Sequence, residues 1–252
     1  MDVVYVLGTG SKWDNNELRY SLRSIAKYGI GLERVIIVGD KLPDFINAAA
    51  VHYLHFCDRP ERSPYQNVFC KIEHVFRSTD LQQFLLSSDD HFFIEPVDFN
   101  HYPVHYKRDI IPETLSPTVG DIRYRRVMGN TRDCIEQMGM LPRFYEGHTN
   151  KLYTRQAWDW LHAQERRSIL YNAVVENDGI SFNSVMAAAI MRLHPMYPCR
   201  KREDIKLFHL NTPEDEEILR HGFSFSIYDS AIHTGVADFL ARTFPDRSPW
   251  EL

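Results

Sequence analysis

The sequence predicts an α/β protein with a mainly parallel central sheet flanked by helices and a mostly helical C-terminal part. Apolar runs typical of buried strands alternate with helix-like segments over the first 95 residues. Helical spacing of apolar residues dominates from Thr154 onward. The chain has 252 residues, which suits one large domain, so we expect a single domain over residues 1–252.

The first predicted strand, Val3–Leu7, ends in a glycine-containing turn at Gly8–Gly10. A helix is predicted to follow, because Asp14 and Glu17 form a D-x-x-E start in which both side chains cap the first turn. Gly29 is a suitable end for this helix.

Three further apolar runs predict strands at Val35–Val38, Val51–Phe56 and Phe84–Ser88. A second helix is predicted before the last of these strands, with an apolar face made of Val68, Ile72, Val75 and Phe76. Ligands collect beyond the carboxyl ends of parallel strands. Polar residues follow these strand ends, so the sequence predicts a site at one edge of the sheet.

The middle of the chain, residues 96–150, has weak periodicity and predicts an irregular insertion over the sheet edge, with room for antiparallel strands. Helices are predicted beyond it over Ala157–His162 and Ile180–Leu193. A third is predicted from Thr212, because Pro213 and two acids follow it in the first turn.

Composition excludes several classes of protein. Lys and Arg number 29 against 34 Asp and Glu, and the net charge of −5 argues against a general nucleic-acid binder. The basic stretch Arg123–Arg126 leaves one alternative, in which the acceptor is a group on DNA. The start of the chain lacks a signal-peptide pattern, and no apolar stretch reaches the ~18 residues of a membrane span, so we expect a cytoplasmic location. Four scattered cysteines without a C-x-x-C pair favour reduced thiols over zinc or redox chemistry.

Asp89 and Asp90, directly after a buried strand, are the sharpest local signal. Two adjacent carboxylates near an apolar core are costly unless something compensates their charge. A divalent cation does so, and carboxylate ligands suit Mg²⁺ or Mn²⁺. A nucleoside diphosphate would complete the coordination. The alternative is a solvated turn in which an Asp caps the next segment.

Basic residues form a stripe on the first predicted helix, where Arg19, Arg23 and Lys27 recur every four residues. Arg19 near the helix start is placed to reach a diphosphate, and a solvated helix face is the alternative. Lys71 lies on a similar polar edge of the second predicted helix, which is either exposed or directed into the same cleft.

Several loop residues are weaker candidates. The Gly8-x-Gly10-Ser11 turn resembles a phosphate-binding turn, but it lacks the third glycine of a dinucleotide fingerprint and the Lys-Ser/Thr of a P-loop, so it indicates only close backbone approach. Asp40 is placed to hold a ribose or base, or is a turn residue. His148, just ahead of a helix, suits a general acid or base or a phosphate ligand, or is a plain loop histidine.

Two polar clusters, Glu176–Asp178 and His209–Asn211, are candidates for a remaining ligand or base. The histidine pairs His52/His55 and His101/His105 invite a metal interpretation. We interpret them as strand and loop residues instead, because the first pair falls on a predicted strand and the second in a Pro/Tyr-rich segment.

Four segments together resemble the Stealth family of capsular-polysaccharide hexose-1-phosphate transferases. They are Asp2–Leu7, the run D-N-N-E-L-R-Y-S-L-R-S-I at Asp14–Ile25, Val35–Val38 and Ser88–Phe93. His148–Lys151, followed by a helix, is similar to the family's third region. The loop at Leu7–Trp13 departs from the family pattern, because it lacks an acidic residue.

This resemblance implies a glycosyltransferase-A-like fold, a nucleotide-diphosphate sugar as donor and Mg²⁺ or Mn²⁺ as cofactor. Residues 1–95 would then bind the donor, and residues 96–252 would form the acceptor side. We expect catalytic roles for Asp90, His148, Arg23 and Asp178, donor contacts from Gly8, Thr9, Gly10, Asn16, Arg19, Asp40, Lys71 and Asp89, and metal ligation by Asp89, Asp90 and His209.

The expected function is metal-dependent transfer of a sugar or sugar 1-phosphate to a hydroxyl acceptor, with a glycan as the expected partner. Two alternatives remain open. One is a metal-dependent phosphoesterase that acts on nucleotide sugars, and the other is a non-catalytic nucleotide-sugar-binding module.

Overall fold

The computed structural model describes residues 1–112, 121–176, 178–202, 205–210, 212, 216–217, 219 and 222–252. The strands are β1 (Asp2–Val6), β2 (Gly29–Ile30), β3 (Val35–Gly39), β4 (His52–His55), β5 (Gln83–Ser87), β6 (His91–Phe93), β7 (Val97–Asp98), β8 (Val104–Tyr106), β9 (Lys151–Thr154), β10 (Cys199–Lys201), β11 (Lys206–Leu207) and β12 (Ser224–Ile227). The α-helices are α1 (Asn16–Tyr28), α2 (Pro64–Ser78), α3 (Ile122–Gln137), α4 (Arg155–Leu161), α5 (Gln164–Val175), α6 (Phe182–Leu193) and α7 (Val236–Thr243).

A five-stranded sheet in the order β4-β3-β1-β5-β9 forms the centre of the molecule. The first four strands are parallel, and β9 runs antiparallel to β5 at the edge. Val4 pairs with Ile36 on one side and with Leu86 on the other. Strands β1 and β3 are buried along almost their whole length, as expected for a parallel sheet that is covered on both faces. The predicted mixed α/β class with a mostly parallel sheet is confirmed.

A smaller sheet in the order β11-β12-β6 lies beside the central one. Only three residues separate the end of β5 from the start of β6, and β6 pairs antiparallel with β12. Its alternating side chains enter different cores. Phe93 packs in the main hydrophobic core, whereas Phe92 packs with Phe225 in a second cluster. The short link Ser88–Asp90 therefore passes from one sheet to the other.

The start of α1 differs from its prediction. The first-turn capping interaction expected of Asp14 and Glu17 does not form among the described residues. Asp14 and Asn15 instead adopt left-handed backbone conformations, with φ of 51° and 57°. The Ser11 hydroxyl accepts hydrogen bonds from the backbone N–H groups of Trp13 and Asn15, and it donates to Glu17. Ser11 thus takes over the role that the sequence assigned to the helix cap.

The middle of the chain is more regular than predicted. Helix α3 runs through the segment expected to be irregular, and its N-cap Asp121 accepts a hydrogen bond from the Tyr124 backbone N–H. Residues with helical spacing line its buried face, among them Val127, Thr131 and Cys134. The strand β8 in this segment pairs parallel with β10, not in an antiparallel hairpin. The exposed basic first turn of α3 obscured its periodicity in the sequence.

The C-terminal part combines helices with the short strands β10–β12, so it is less purely helical than expected. The helix is predicted from Thr212, and residues 213–215, which would form its first turn, lie outside the described part of the chain. In the described ranges, the structure contains no helix that combines the length and apolar character needed to cross a membrane.

Two buried histidines couple the stability of this fold to pH. Burial, together with the positive charges of Arg202 and Lys151, lowers the pKa of His91 and of His105 to about 3. An unfolded histidine titrates near ~6.5. As the pH falls, the histidines of the unfolded state therefore bind protons before those of the folded state do. The free energy of unfolding consequently decreases between about pH 6.5 and pH 3.

We predict that His105→Gln reduces the acid sensitivity of folding. Removal of one such histidine should change the pH dependence of the free energy of unfolding by about 1.4 kcal/mol per pH unit below about pH 6. Urea unfolding at about pH 7 and about pH 5 measures this slope. The exposed His52→Gln is the matched control and should leave the slope unchanged. Identical slopes in wild type and His105→Gln would show that His105 is not held neutral.

Candidate functional site

Asp89 and Asp90 lie at the carboxyl end of β5, in the link between the two sheets. Backbone hydrogen bonds fix this link, because the His91 N–H donates to the Ser88 carbonyl and the Ile227 N–H donates to the Asp90 carbonyl. The Ser21 hydroxyl of α1 donates to the His91 carbonyl over 2.7 Å. Three elements therefore hold the two carboxylates in place.

The carboxyl groups at this point repel one another. Burial, followed by the negative charges of Asp90 and Glu17, raises the pKa of Asp89 to about 7. Burial also raises the pKa of Asp90, with a further contribution from the charge of Asp229. The pKa of Glu17 is raised by burial in the same way. This edge of the sheet therefore concentrates negative charge that the protein compensates only in part.

Lys206 supplies that partial compensation. Its ammonium nitrogen lies 3.4 Å from Asp90 Oδ2 and 3.3 Å from His148 Nδ1. The same nitrogen lies 4.4 Å from the centre of the Tyr228 ring. Lys206 thus joins Asp90 to His148, two of the residues predicted to be catalytic. Lys206 carries no signal in the sequence, because it is a single lysine more than a hundred residues from Asp90, with no motif around it.

An open cleft of about 640 Å³ lies beside this cluster. Ser88, His148 and Tyr228 line it on the side of the acidic link. The other polar side chains of its lining are of mixed charge: Tyr65, Lys107, Asp121, Arg123, Glu146, Thr149, Lys151 and Asn183. The cleft therefore has the size and polarity for a charged, hydroxyl-rich ligand. Another cavity, of about 380 Å³, opens near the starts of β3 and β4, at the opposite edge of the sheet.

The glycine loop after β1 lies next to the same acids. Gly8, Thr9 and Gly10 are exposed, and a Cβ built on Gly10 would have no described atom within 4 Å. Lys12 pairs with Asp229 at 3.4 Å. The loop therefore combines open space with accessible backbone, and its predicted role in phosphate binding stays a prediction. Asn16 is less available, since its amide donates to the Trp13 carbonyl.

Arg23 is placed differently from its prediction. Its guanidinium makes two hydrogen bonds of 2.8 Å to the carboxylate of Glu251 and one of 3.0 Å to the Phe244 carbonyl. Arg19 lies 3.8 Å from the same carboxylate and stacks over Phe45. Both arginines share one helix face, which packs against the last residues of the chain. These contacts are structural, and the catalytic role of Arg23 and the donor contact of Arg19 stay predictions.

Lys71 and Asp178 are also engaged elsewhere. The Lys71 side chain is only 2% exposed, and it pairs with Asp58 at 2.6 Å and donates to the Leu7 carbonyl. Asp178 pairs with Arg123 and Arg126 of α3. Lys71 thus fastens a loop to the end of β1 instead of facing a donor. The ion pairs of Asp178 also neutralise part of the positive charge of Arg123–Arg126, on which the possibility of a DNA acceptor rested.

The predicted metal ligands do not all meet. Among the described residues, Asp89, Asp90 and His209 form no group whose ligand atoms lie within 4.8 Å of one another. His209 is exposed. The nearby Lys206 and Phe208 both contact Tyr228. The neighbours Asn177 and Asn211 of the two predicted polar clusters lie outside the described residues. Asp40 is exposed at the end of β3, beside His55 and Cys57.

A scan against protein-family models and a search of curated proteins each found no match to this chain. The fold and the site define a mixed α/β protein with an acidic centre at the carboxyl edge of its mostly parallel sheet. The likeness to the Stealth family is carried by the motif residues alone.

The Arg23–Glu251 pair provides a test of the structural assignment. Because Glu251 is almost fully buried, Glu251→Gln should leave Arg23 poorly compensated and lower the free energy of unfolding by about 1–3 kcal/mol. Urea unfolding measures the change. Glu216→Gln, which removes an exposed partner of Arg242, is the control and should cost less than about 0.5 kcal/mol. Equal, small effects in both variants would contradict a structural role for Arg23.

Proposed function

We propose that this protein is a glycosyltransferase-A-like, metal-dependent transferase. It uses a nucleotide-diphosphate sugar and passes the sugar, or the sugar 1-phosphate, to a hydroxyl of a glycan acceptor. The observation that carries the proposal is the meeting of Asp89, Asp90, Lys206 and His148 beside an open cleft at the carboxyl edge of the sheet. Ligands of open α/β sheets bind at this edge.

The acidic link fits a divalent cation. Asp89 and Asp90 offer oxygen ligands, which Mg²⁺ and Mn²⁺ prefer. Burial and the charges of Asp90 and Glu17 raise the pKa of Asp89, and a bound cation would oppose both effects. These two residues would hold the ion. When bound, such an ion supplies neutralisation of the charge that develops on the departing phosphate groups.

The side chains around the link have complementary roles in the proposal. Lys206 keeps Asp90 in position and adds positive charge next to it. His148 lines the cleft next to Lys206, and its imidazole is the proposed acceptor of the proton of the attacking hydroxyl. The exposed Gly8–Gly10 backbone offers N–H groups to a phosphate.

Both transfer reactions suit this arrangement. If the acceptor hydroxyl attacks the anomeric carbon, the bond to the phosphate oxygen breaks and a nucleoside diphosphate leaves. If it attacks the β-phosphorus, the phosphoanhydride bond breaks and a nucleoside monophosphate leaves. Catalysis of the second reaction rests on positioning and charge neutralisation, which cationic residues near the acids favour.

An aromatic stack that includes a cleft-lining residue suits the acceptor. Phe208 and Tyr228 stack with ring centroids 3.9 Å apart, and Tyr228 lines the cleft. Phe208 is 59% exposed, which is unusual for a side chain of its size. The apolar face of a sugar ring packs favourably on such a surface, while its hydroxyls stay in water. We therefore assign this stack to the acceptor in the proposal.

The first test uses nucleotide sugars with Mn²⁺. A donor at about 100 times its Kd should stabilise the protein by about 2.7 kcal/mol and raise its unfolding temperature by about 5–10 °C. Asp90→Asn should abolish the Mn²⁺-dependent part of this shift and lower turnover by about 100-fold or more. Asp80→Asn, at an exposed position near the opposite edge of the sheet, is the control and should behave as wild type.

The released nucleotide then separates the reactions. With acceptor present, diphosphate release indicates sugar transfer, and monophosphate release indicates sugar-1-phosphate transfer. Rapid donor hydrolysis without acceptor would favour the phosphoesterase. Tight donor binding without turnover, indifferent to Asp90→Asn, would favour the binding module. No Mn²⁺-dependent donor binding at all would overturn the proposal.

The acceptor assignment has its own test. Phe208→Ala should raise the acceptor KM by about 10-fold, equivalent to about 1.4 kcal/mol of lost binding, and leave the donor KM unchanged. Steady-state kinetics with both substrates varied measure the two constants. Met196→Ala, which removes an apolar side chain that is 94% exposed, is the control. An unchanged acceptor KM in Phe208→Ala would contradict the role of the stack.

A further inference from the structure

A second group of metal-binding side chains lies where β3 and β4 end. Asp40, His55 and Cys57 place one ligand atom each within 4.8 Å of the others, and all three residues are exposed. Cys57 Sγ lies 2.7 Å from Asp40 Oδ1 and 3.5 Å from His55 Nε2. His55 Nε2 lies 3.6 Å from Asp40 Oδ1. One oxygen, one nitrogen and one sulfur thus converge from three chain positions.

The spacing matches a tetrahedral zinc site. Zn²⁺ binds Cys, His and Asp at about 2.0–2.3 Å, so neighbouring ligand atoms of a tetrahedron lie about 3.3–3.7 Å apart. The two distances to His55 Nε2 already fall in this range. The shorter contact, between Cys57 and Asp40, is a hydrogen bond from the thiol to the carboxylate. Loss of the thiol proton allows this contact to lengthen, because both side chains are exposed.

The backbone around the three ligands is fixed by contacts other than those between the ligands. The Phe56 N–H donates to the Gly39 carbonyl, and the Tyr53 hydroxyl donates to the carbonyls of Gly39 and Asp40. The ion pair between Asp58 and Lys71 fastens the residue after Cys57 to the core. These contacts orient the ligands before any ion binds, which lowers the cost of binding.

We infer that Asp40, His55 and Cys57 form a Zn²⁺ site with three protein ligands and a fourth position open to solvent. Zn²⁺ takes the place of the Cys57 proton, which is released to water, and a water molecule completes the tetrahedron. The thiolate and imidazole favour Zn²⁺ over Mg²⁺, so this site differs in chemistry from the all-oxygen pair Asp89 and Asp90. The inference is independent of the proposed transferase activity.

Titration of the full chain with Co²⁺, a spectroscopic substitute for Zn²⁺, tests the inference. Wild type should bind one equivalent with a thiolate-to-cobalt charge-transfer band in the near ultraviolet, and added Zn²⁺ should displace it. Cys57→Ser should remove the band. Cys57→Ser and His55→Gln should each weaken zinc binding by more than about 100-fold. Loss of a residue that only hydrogen-bonds a metal ligand already lowers metal affinity by about 10–100-fold. Thermal unfolding of the metal-free variants confirms that they fold.

Two controls separate this site from other metal sites. His52→Gln, at an exposed position on the same strand, should keep the band and the zinc affinity. Asp90→Asn should keep both as well, whatever its effect on donor binding. The inference is overturned if wild type shows no thiolate band, if Cys57→Ser binds zinc as tightly as wild type, or if Asp90→Asn loses the band.

Discussion

The concentration of negative charge in the link Ser88–Asp90 is the constraint around which the structure is arranged. The chain leaves the central sheet and enters the second within three residues, so two carboxylates lie where two hydrophobic cores meet. Desolvation there disfavours their charged forms. The fold opposes this with Lys206 and fixes the link through Ser21, whose hydroxyl also hydrogen-bonds Tyr5 of β1. The charge remains only partly compensated, and this residual charge makes the link a candidate centre for cation and phosphate chemistry.

The charged residues of α1 belong to one sequence motif but have different structural roles. Four-residue spacing places Arg19, Arg23 and Lys27 on one helix face. That face meets the end of the chain, where Arg23 binds Glu251 and Lys27 donates to the Thr243 carbonyl. The opposite side of the same helix presents Glu17 to the acidic link. The cations of the motif therefore hold the helix in place, and its acid joins the site.

Two different ligand chemistries share the carboxyl edge of the central sheet. Asp89 and Asp90 follow β5 and offer only oxygen, whereas Asp40, His55 and Cys57 follow β3 and β4 and add nitrogen and sulfur. Strand β1 lies between β3 and β5, so two strand spacings, about 10 Å, separate the strands that these groups follow. Lys71 reaches from α2 to both the Leu7 carbonyl at the end of β1 and Asp58 in the loop after β4. A single buried lysine thus fixes the geometry of this edge.

The sequence by itself determined the four parallel strands, the mixed α/β class and the position of Asp89 and Asp90 at a strand end. These features are local, because a buried strand and the turn after it are encoded in consecutive residues. Tertiary structure decided which charges pair. Lys206 meets Asp90, Glu251 meets Arg23, and Cys57 meets Asp40 across 116, 228 and 17 positions of the chain. No periodicity or spacing rule links such residues. Their distances depend on strand order and on how long side chains reach across packed elements, which only the folded chain fixes.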